Sequence, residues 1–332
     1  MISDPRPPRI PVLIDTDVDI DDWMAMLFLL KHPHVQVLGI TTTGCGAAHL
    51  TPGTKNASDL LMLTDHPDVP VARGTSAPLI YSNQFPNSIR NGIDGLYGLT
   101  LPTNPNPPDP RPAVQFLYDT LVAAPSPVTI LAIGGLTNLG TLLRDHPEVA
   151  PHIARIVVMG GAIHVGGNVY NVDNNYINKV AEWNIFLDVL GAQIVLGSGV
   201  PITIVPLDAS QNVPLGKDFY YRFVETAHSK AARWIRDALT ADIDFVLSSD
   251  FYFWDPLAAA VLVDPTLIQS PDKGVSPQRM QLSVAQSLDE ESDTSGQLVI
   301  TDTGPFLDVA LWADAERFYK QFIEILNLPD AK

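Results

Sequence analysis

The sequence predicts a single α/β domain in which a mainly parallel central sheet is flanked by helices. Three observations predict this class. Short apolar runs rich in β-branched residues recur, stretches with helical spacing separate them, and polar or glycine-rich segments follow the runs directly. Continuous apolar strands that alternate with helices are typical of a parallel sheet covered on both faces. Ligands of such sheets bind beyond the carboxyl ends of the strands, so we expect the active site there.

The predicted elements alternate along the chain. Strands are expected at residues 12–14, 35–42, 128–133, 156–159 and 202–205. Helices are expected at residues 23–31, 56–63, 113–122, 136–145 and 188–196. The proline-rich stretch 101–112 is expected to be an exposed loop rather than a linker, because strand and helix patterns resume at once on both sides of it.

The composition bounds the class of protein. The chain has 332 residues, of which 46% are hydrophobic and 17% charged, enough for one large core over residues 1–332, with flexible ends at 1–9 and 326–332. The formal net charge of −17 repels nucleic acid and anionic membranes, so neither is expected as a partner. No apolar stretch has the length of a signal peptide or a membrane span, and a cytoplasmic protein is therefore expected.

The single cysteine, Cys45, excludes an internal disulfide and a cysteine-rich metal site, and we expect a buried, unreactive thiol.

A run of aspartates near the N-terminus indicates a functional site. Residues 11 to 25 read "PVLIDTDVDIDDWMA", which places five aspartates between positions 15 and 22, directly after a predicted strand. Acids at a helix start favour the helix dipole, but five at the mouth of a buried strand repel one another. A divalent cation relieves that repulsion, and all-oxygen ligands point to Ca²⁺ or Mg²⁺.

The motif "DTDVDIDD" resembles the D-x-D-x-G-x-D-D signature of the inosine-uridine-preferring nucleoside hydrolase family. Further segments agree with that family in order along the chain: "GITTTG", "LAIGGLTNL", "VVMGGAIHVGGN", "AEWNIF" and "WDPLAA". The similarity spans roughly residues 10 to 310, nearly the whole chain. The resemblance implies hydrolysis of the N-glycosidic bond of a ribonucleoside, giving free base and ribose.

The resemblance also implies a bound Ca²⁺. Its ligands would be Asp17, Asp22, Asp255 and the carbonyl oxygen of Ile133. Asp17 would in addition take the proton of the attacking water as general base, because a metal ion lowers the pKa of that water. Pro256 restricts Asp255 to extended geometry and is expected to start a helix at the next residue, although an N-cap role for Asp255 is an equal alternative.

Further residues match family positions around the ribose. Asp21, Asn168, Glu182 and Asn184 match positions that bind ribose hydroxyls. Other roles are open for three of them, because Asn168 also suits a turn and because Glu182 and Asn184 also suit a helix cap. Asp15 matches an aspartate that supports the site from behind, through hydrogen bonds to the loop.

The sequence departs from the family pattern at two loops. Asp19 stands where the signature has glycine, so the loop carries an extra carboxylate that reaches either the substrate or solvent. The second loop reads "GCGAAH" and lacks an asparagine that contacts ribose in members accepting many bases, and His49 is a nearby substitute.

The third departure concerns the leaving base. Trp254 stands where many members have a histidine that protonates the base, and the purine-specific branch likewise has tryptophan there. We therefore expect a preference for purine nucleosides, with the base stacked on Trp254 and on Tyr81, Phe85 or Tyr252, although core packing of Trp254 is the alternative. His164 is a second candidate at the substrate, as proton donor or as a structural histidine.

Two segments are expected to enclose the substrate. The stretch 82–98 has the composition of a flexible loop, and the corresponding region of the family closes over the substrate. Residues 219–254 are expected to form helices on the other wall. Trp23, Trp183 and Trp234 are interpreted as packing residues.

Three other functions compete with nucleoside hydrolysis. A non-catalytic nucleoside- or ribose-binding protein would keep the metal and sugar contacts, but the retained Asp17 argues against it. A hydrolase of another ribosyl compound, such as nicotinamide riboside, fits the same motifs. A phosphatase of the haloacid dehalogenase type also begins with D-x-D after a strand, but the later motifs fit it poorly. Homo-oligomers, dimers or tetramers, are common in the family, and the sequence leaves the number open.

Overall fold

The computed structural model describes residues 9–248, 250–269, 277–287 and 292–330. Within them the strands form one sheet. The strands are β1 (Ile10–Thr16), β2 (Val35–Thr42), β3 (Val71–Arg73), β4 (Asp109–Pro112), β5 (Val128–Ile133), β6 (Ile153–Met159), β7 (Ile202–Val205), β8 (Gln278–Val284), β9 (Leu298–Ile300) and β10 (Phe306–Val309). The order across the sheet is β4-β3-β2-β1-β5-β6-β7-β10-β8-β9. Neighbours pair in parallel from β4 to β10, and only β8, which pairs antiparallel with both β10 and β9, runs in the opposite direction.

Helices cover both faces of this sheet. They are α1 (Ile20–Lys31), α2 (Leu50–Leu60), α3 (Asn87–Asp94), α4 (Ala113–Ala123), α5 (Thr137–Asp145), α6 (Val169–Val172), α7 (Trp183–Leu187), α8 (Val189–Leu196), α9 (Leu207–Ser210), α10 (Lys217–Thr226), α11 (Lys230–Ala241), α12 (Ile243–Val246), α13 (Trp254–Val263) and α14 (Ala315–Leu326). The predicted single α/β domain with a mainly parallel sheet is confirmed. No helix of the described ranges is both long and apolar enough to cross a membrane.

The first helix begins earlier than predicted, at Ile20 rather than Trp23. Asp19 is its N-cap and accepts a hydrogen bond from the Ile20 N–H at 2.6 Å. Asp22 accepts the backbone N–H of Asp19 at 2.9 Å, which completes a capping box. Two aspartates of the acidic run, Asp19 and Asp22, therefore also stabilise the start of α1.

Three predictions about loops and ends are corrected. The stretch 101–112 is not wholly a loop, because it ends in the edge strand β4. The stretch 82–98 is not an irregular loop, because it contains α3 and a short 3₁₀ turn at Leu96–Gly98. Residues 326–330 are anchored, since the Lys31 ammonium donates to the Leu328 carbonyl and pairs with Asp330. Residues 1–8 and 331–332 of the expected flexible ends lie outside the described residues.

The sheet divides the core into two layers. Along β1, Val12 and Ile14 face the layer that contains α1, while Leu13 between them faces the layer that contains α5. This alternation is the pleat of a strand buried on both sides, which is why the run is continuously apolar. Trp23 and Trp234 pack edge to face at 5.3 Å in the first layer, as expected of packing residues.

The pairing register brings the functional loops together. Asp15 lies opposite Thr41 of β2, and Thr16 lies opposite Ile133 of β5. The segments after β1, β2 and β5 therefore leave the sheet at one edge, where the polar motifs of the sequence converge.

We predict that Gly140→Ala destabilises the fold. A Cβ at Gly140 would lie 2.7 Å from the Cα of Gly191, where α5 and α8 cross, and neither backbone can move away alone. Overpacking of this kind costs about 1–3 kcal/mol, to be measured by urea unfolding. Gly95→Ala is the control, because a Cβ there meets nothing closer than 3.4 Å. Equal stabilities of the two variants would contradict the prediction.

Candidate active site

A cavity of about 310 Å³ opens at the carboxyl edge of the sheet, within the size range of small-molecule sites. Its lining has two chemically different parts. The acidic floor carries Asp17, Asp19, Asp21, Asp22, Glu182 and Asp255, and Asp242 also lines the cavity. The aromatic wall carries Phe85, Tyr97, Trp183, Phe245 and Trp254. A ligand that fills this cavity must therefore combine a polar or cationic end with a flat apolar end.

Three carboxylates of the floor lie especially close together. Oxygens of Asp21, Asp22 and Asp255 all lie within 4.8 Å of one another, and the three side chains are buried. Asp22 is the centre of the group, since its carboxyl group also interacts with that of Asp17 and accepts the Thr16 hydroxyl. The first turns of α1 and α13 thus lie side by side, with Asp21 and Asp22 of α1 next to Asp255 of α13.

Burial makes this cluster costly in its ionised form. Desolvation, together with the charge of Asp17, raises the pKa of Asp21 to about 7. Desolvation raises the pKa values of Asp22 and Asp255 well above their usual range, and the charges of the neighbouring aspartates raise them further. Several buried carboxylates remain ionised together only when a cation neutralises them. The donors are all oxygens, so the chemistry of this set fits a hard divalent cation.

The group of three differs in one member from the predicted ligand set. Asp21 belongs to it, whereas Asp17 lies beside it, and Ile133 lines the same cavity. Asp255 lies in the first turn of α13, which begins at Trp254 rather than at Pro256 as expected. It is therefore not the N-cap, and its side chain is available to the cavity.

Asp17 is held by the loop after β2. Its Oδ2 accepts the N–H of Ala47 at 2.8 Å, and its carbonyl accepts the N–H of Ala48 at 3.0 Å. The backbone approaches so closely that a Cβ at Gly46 would lie 1.7 Å from Oδ2, and one at Gly134 would lie 2.7 Å from the Asp17 nitrogen. Burial raises the pKa of Asp17 to about 6, and the bond from Ala47 opposes that rise.

Asp15 lies behind the cavity and does not line it. Its Oδ1 accepts the Thr41 hydroxyl at 2.6 Å and the Asn138 amide at 2.8 Å. Asn138 also donates to the Thr42 carbonyl at 3.3 Å. Asp15 therefore joins β1, β2 and α5 beneath the loops, and burial raises its pKa to about 6.

The turn between Asp17 and Asp19 is strained. Val18 has a φ of 68°, a left-handed conformation that β-branched residues rarely adopt. Two hydrogen bonds hold it there. Its N–H donates to the Thr16 hydroxyl at 3.0 Å, and its carbonyl accepts the Trp23 indole N–H at 2.8 Å. Trp23 is thus more than a packing residue, and no sequence pattern indicates this role.

Glu182 has the capping role that was the alternative to ribose binding, and it lines the cavity as well. Its carboxylate accepts the N–H groups of Asn184 at 2.8 Å, Ile185 at 3.2 Å and Gly161 at 2.9 Å. Burial raises its pKa to about 7, and these three bonds oppose the rise. The carboxylate is consequently fixed in one orientation at the start of α7.

Asn168 and Asn184 also line the cavity, each with one end of the amide bound to the protein. The Oδ1 of Asn168 accepts the N–H of Trp183 at 3.0 Å. The Nδ2 of Asn184 donates to the Met159 carbonyl at 3.2 Å. These contacts leave the Asn168 amide nitrogen and the Asn184 amide oxygen for a ligand.

Three residues of the aromatic wall, Tyr97, Trp183 and Phe245, were not predicted as substrate contacts from the sequence. Trp183 was interpreted as packing, but it lines the cavity and stacks on Phe85 with ring centroids 4.2 Å apart. Phe245 of α12 was not singled out. Tyr81 and Tyr252, two candidates for stacking, are not among the lining residues. The sequence around Trp183 and Phe245 is that of ordinary helix residues. It does not indicate a place in the cavity, because the cavity forms between segments that are distant in sequence.

The two histidines considered for the substrate lie elsewhere. His164 is exposed and does not line the cavity. His49 binds Asp94 instead, with its Nδ1 2.6 Å from Oδ2. Asp242, between α11 and α12, lines the cavity and, like Asp19 and Asp21, acts electrostatically on Tyr97 of the aromatic wall. Burial and the charge of Asp244 raise its pKa.

Most of the chain is similar to known proteins. The family described as inosine-uridine preferring nucleoside hydrolase matches residues 12–320. Uridine nucleosidase 1 of Arabidopsis thaliana is 33% identical over 260 residues, which cover 77% of this chain and 74% of that protein. The plant nucleoside hydrolase PpNRh1 has a TM-score of 0.81 at 27% identity, with 97% of this chain and 100% of that one covered. The Purine-Preferring Ribonucleoside Hydrolase from Gardnerella vaginalis has a TM-score of 0.76 at 26% identity, with 95% and 98% covered.

We predict that a divalent cation stabilises the fold. Addition of Ca²⁺ after treatment with a chelator is expected to raise the unfolding temperature, because the cation neutralises Asp21, Asp22 and Asp255 in the folded state only. At a hundredfold excess over the dissociation constant the gain is about 2.7 kcal/mol. Calorimetry with Ca²⁺ and with Mg²⁺ measures it.

The matched variants separate this effect from general charge screening. Asp22→Asn removes one repelling charge, so we expect the metal-free protein to keep its stability and to lose the response to Ca²⁺. Asp237→Asn, at a half-exposed ion pair outside the cavity, is expected to respond as the wild type does. Equal responses of all three proteins would contradict a site at the cluster.

Proposed function

The chain belongs to the inosine-uridine preferring nucleoside hydrolase family, and from that premise we propose that it hydrolyses ribonucleosides, with Ca²⁺ bound and with a preference for purine bases. The observation that carries the proposal is one cavity in which an acidic floor faces an aromatic wall. A nucleoside has the matching shape, with hydroxyls and a developing positive charge at the sugar and a flat ring at the base.

The acidic floor suits the reacting sugar. Cleavage of the N-glycosidic bond leaves an oxocarbenium-like cation on the ribose, as in glycoside hydrolysis. Preorganised carboxylates and amide oxygens stabilise such charge without having to reorient during the reaction. We assign the ribose hydroxyls to Asp21, Asn168, Glu182 and Asn184. The fixed orientation of Glu182, which three backbone N–H groups hold, supports this assignment.

We propose Ca²⁺ as the metal, held by Asp17, Asp22, Asp255 and the Ile133 carbonyl, with Asp21 as the alternative to Asp17. Ca²⁺ accepts six to eight oxygens in flexible geometry, whereas Mg²⁺ demands an octahedron and retains waters, so a buried set of carboxylates favours Ca²⁺. When bound, the ion would supply the polarisation that lowers the pKa of a coordinated water.

Asp17 is the proposed general base. Its carboxylate lies beside the cluster rather than within the group of three, and the Ala47 N–H fixes one of its oxygens. The other oxygen is then the one that takes the proton of the attacking water. The water oxygen bonds to the anomeric carbon as the bond from that carbon to the base breaks, and the electron pair leaves with the base.

The aromatic wall is the proposed base site. Phe85 and Trp183 form one stacked unit, and Trp254 and Phe245 line the same cavity. A two-ring purine offers more area for stacking than a pyrimidine, which supports the purine preference. The Arabidopsis relative is named for uridine and the Gardnerella structure for purines, so relatives divide on this point.

The departing base needs a proton, and we assign that role to Asp242. It lies at the wall, close enough to act electrostatically on Tyr97 and Asp19. Its raised pKa keeps a larger fraction protonated near neutral pH than an exposed carboxyl would have. Donation of that proton to a ring nitrogen would leave the base neutral and Asp242 ionised.

The function is tested by ribose release from inosine, guanosine, adenosine, uridine and cytidine. We expect wild type to release ribose, and to do so faster from purine nucleosides. Asp17→Asn should lower kcat by about 10²–10⁴-fold because the general base is lost. Asp237→Asn is the control for the loss of an aspartate elsewhere.

Each outcome has a distinct meaning. Faster cleavage of uridine than of inosine or guanosine would contradict stacking on the aromatic wall as the basis of preference. No ribose from any nucleoside, with Ca²⁺ bound, would contradict the function. The remaining candidates would then be another ribosyl compound, such as nicotinamide riboside, or nucleoside binding without turnover.

The role of Asp242 is tested with a substrate that needs no acid. We expect Asp242→Asn to slow inosine hydrolysis by about 10²-fold or more, because protonation of the base is lost. Hydrolysis of p-nitrophenyl β-D-ribofuranoside should be nearly unchanged, because nitrophenolate leaves as a stable anion. Asp237→Asn, at a half-exposed ion pair outside the cavity lining, is the matched control, because Asp237 does not act on the pKa of Asp242. Equal losses on both substrates would contradict the assignment.

A further inference from the structure

Arg90 is a buried arginine beside the cavity that the reaction described above does not use. It lies on α3 and is 4% exposed. Its Nη2 donates to the carbonyls of Gly44 at 2.8 Å and Ala48 at 3.0 Å, and its Nη1 donates to the Gln84 side chain at 3.0 Å. Its Nε–H is buried without an acceptor among the described residues. A guanidinium group this deeply buried requires a physical reason.

The partners of Arg90 are unusual for a buried guanidinium. Such a group ordinarily forms a bidentate pair with a carboxylate. Here one nitrogen instead binds two backbone carbonyls, at the two ends of the 44–48 loop (residues 44–48). The nearest balancing charges act from Asp94 and Asp17 without a direct bond. The side chain is thus placed to hold the loop rather than to complete an ion pair.

The 44–48 loop is the element that holds Asp17. Between its two tethered ends, the N–H of Ala47 donates to the Asp17 carboxylate, and the N–H of Ala48 donates to the Asp17 carbonyl. Gly46 passes so close to that carboxylate that no side chain fits. A small movement of the loop therefore moves the carboxylate or removes its hydrogen bond.

A second contact from the same helix reinforces the first. Asp94, one turn after Arg90 on α3, accepts the backbone N–H of His49 at 2.9 Å and contacts its ring nitrogen at 2.6 Å. Residues four apart share one face of a helix, so one face of α3 contacts both the 44–48 loop and the residue that follows it, His49. Ile89, also on α3, lines the cavity. The helix that bounds the substrate is therefore tied to the loop that holds the base.

We propose that Arg90 is a positioning residue, which holds the 44–48 loop so that Asp17 lies in the geometry for proton abstraction. The inference rests on the proposed function, because it assigns Asp17 the role of base. Arg90 does not line the cavity and touches no substrate. Its effect reaches the reaction through Gly44, Ala48 and the Ala47 N–H.

The test measures ribose release from inosine at saturating Ca²⁺. Arg90→Met keeps the length of the side chain and removes its donors, so the loop loses both tethers. We expect kcat to fall about 10²-fold, as for a base displaced by about 1 Å, with KM close to the wild-type value. Arg90→Lys retains the charge but not the planar fork, and an intermediate kcat is expected.

A double-mutant cycle shows whether the effect passes through Asp17. In an Asp17→Asn background the same Arg90→Met change is expected to cost little further rate, because the group being positioned is already absent. Arg155→Met is the stability control, since Arg155 also donates to a backbone carbonyl, that of Leu262, but lies outside the cavity lining. It should change the unfolding temperature and leave kcat unchanged.

The outcomes separate the inference from the function it rests on. Either an additive cycle or a loss in Arg90→Met that is explained by its unfolded fraction would overturn the positioning role. Those results would leave the hydrolase function intact. Absence of ribose release by the wild type would instead contradict the proposed function.

Discussion

The burial of several like charges at the end of one strand is the constraint on which the rest of the site depends. β1 carries Asp17 out of the sheet, and α1 begins so soon afterwards that Asp21 and Asp22 are buried beside it. Each ionised carboxylate raises the free energy of the others. Backbone N–H groups donate hydrogen bonds to these carboxylates, and glycines let the backbone approach them closely. The carboxylates themselves form an all-oxygen cluster suited to a divalent cation.

The donors around this cluster are mostly backbone N–H groups, which explains how single residues combine structural and chemical roles. Glu182 caps α7 and faces the cavity, and Asp19 caps α1 and faces the same cavity. A helix start provides directed N–H groups and a favourable dipole, so a carboxylate there is both oriented and partly stabilised. Capping and ligand binding are therefore compatible roles for one side chain.

The aromatic wall has a different origin from the acidic floor. The floor comes from the segment after β1 and from the starts of α1, α7 and α13, whereas the wall also needs the segment around Phe85 and α12. The segment around Phe85 continues into α3, which binds the 44–48 loop through Arg90 and the adjoining His49 through Asp94. The contacts of α3 therefore connect the aromatic wall to the loop that holds Asp17. The same contacts affect both how a substrate is covered and where Asp17 lies.

The α/β class, five of the ten described strands and the acidic cluster were predicted from the sequence, because each depends on local pattern: β-branched runs, helical spacing and five aspartates after a strand. The helix in 82–98, the place of Trp183 in the wall and the burial of Arg90 were not. Each arises from contacts between segments far apart in sequence, such as Phe85 against Trp183 and Arg90 against Gly44. Composition and periodicity report which residues are buried together in one element. They hold no information about which distant backbone carbonyl or ring a side chain meets, because the packing of the whole chain sets that contact.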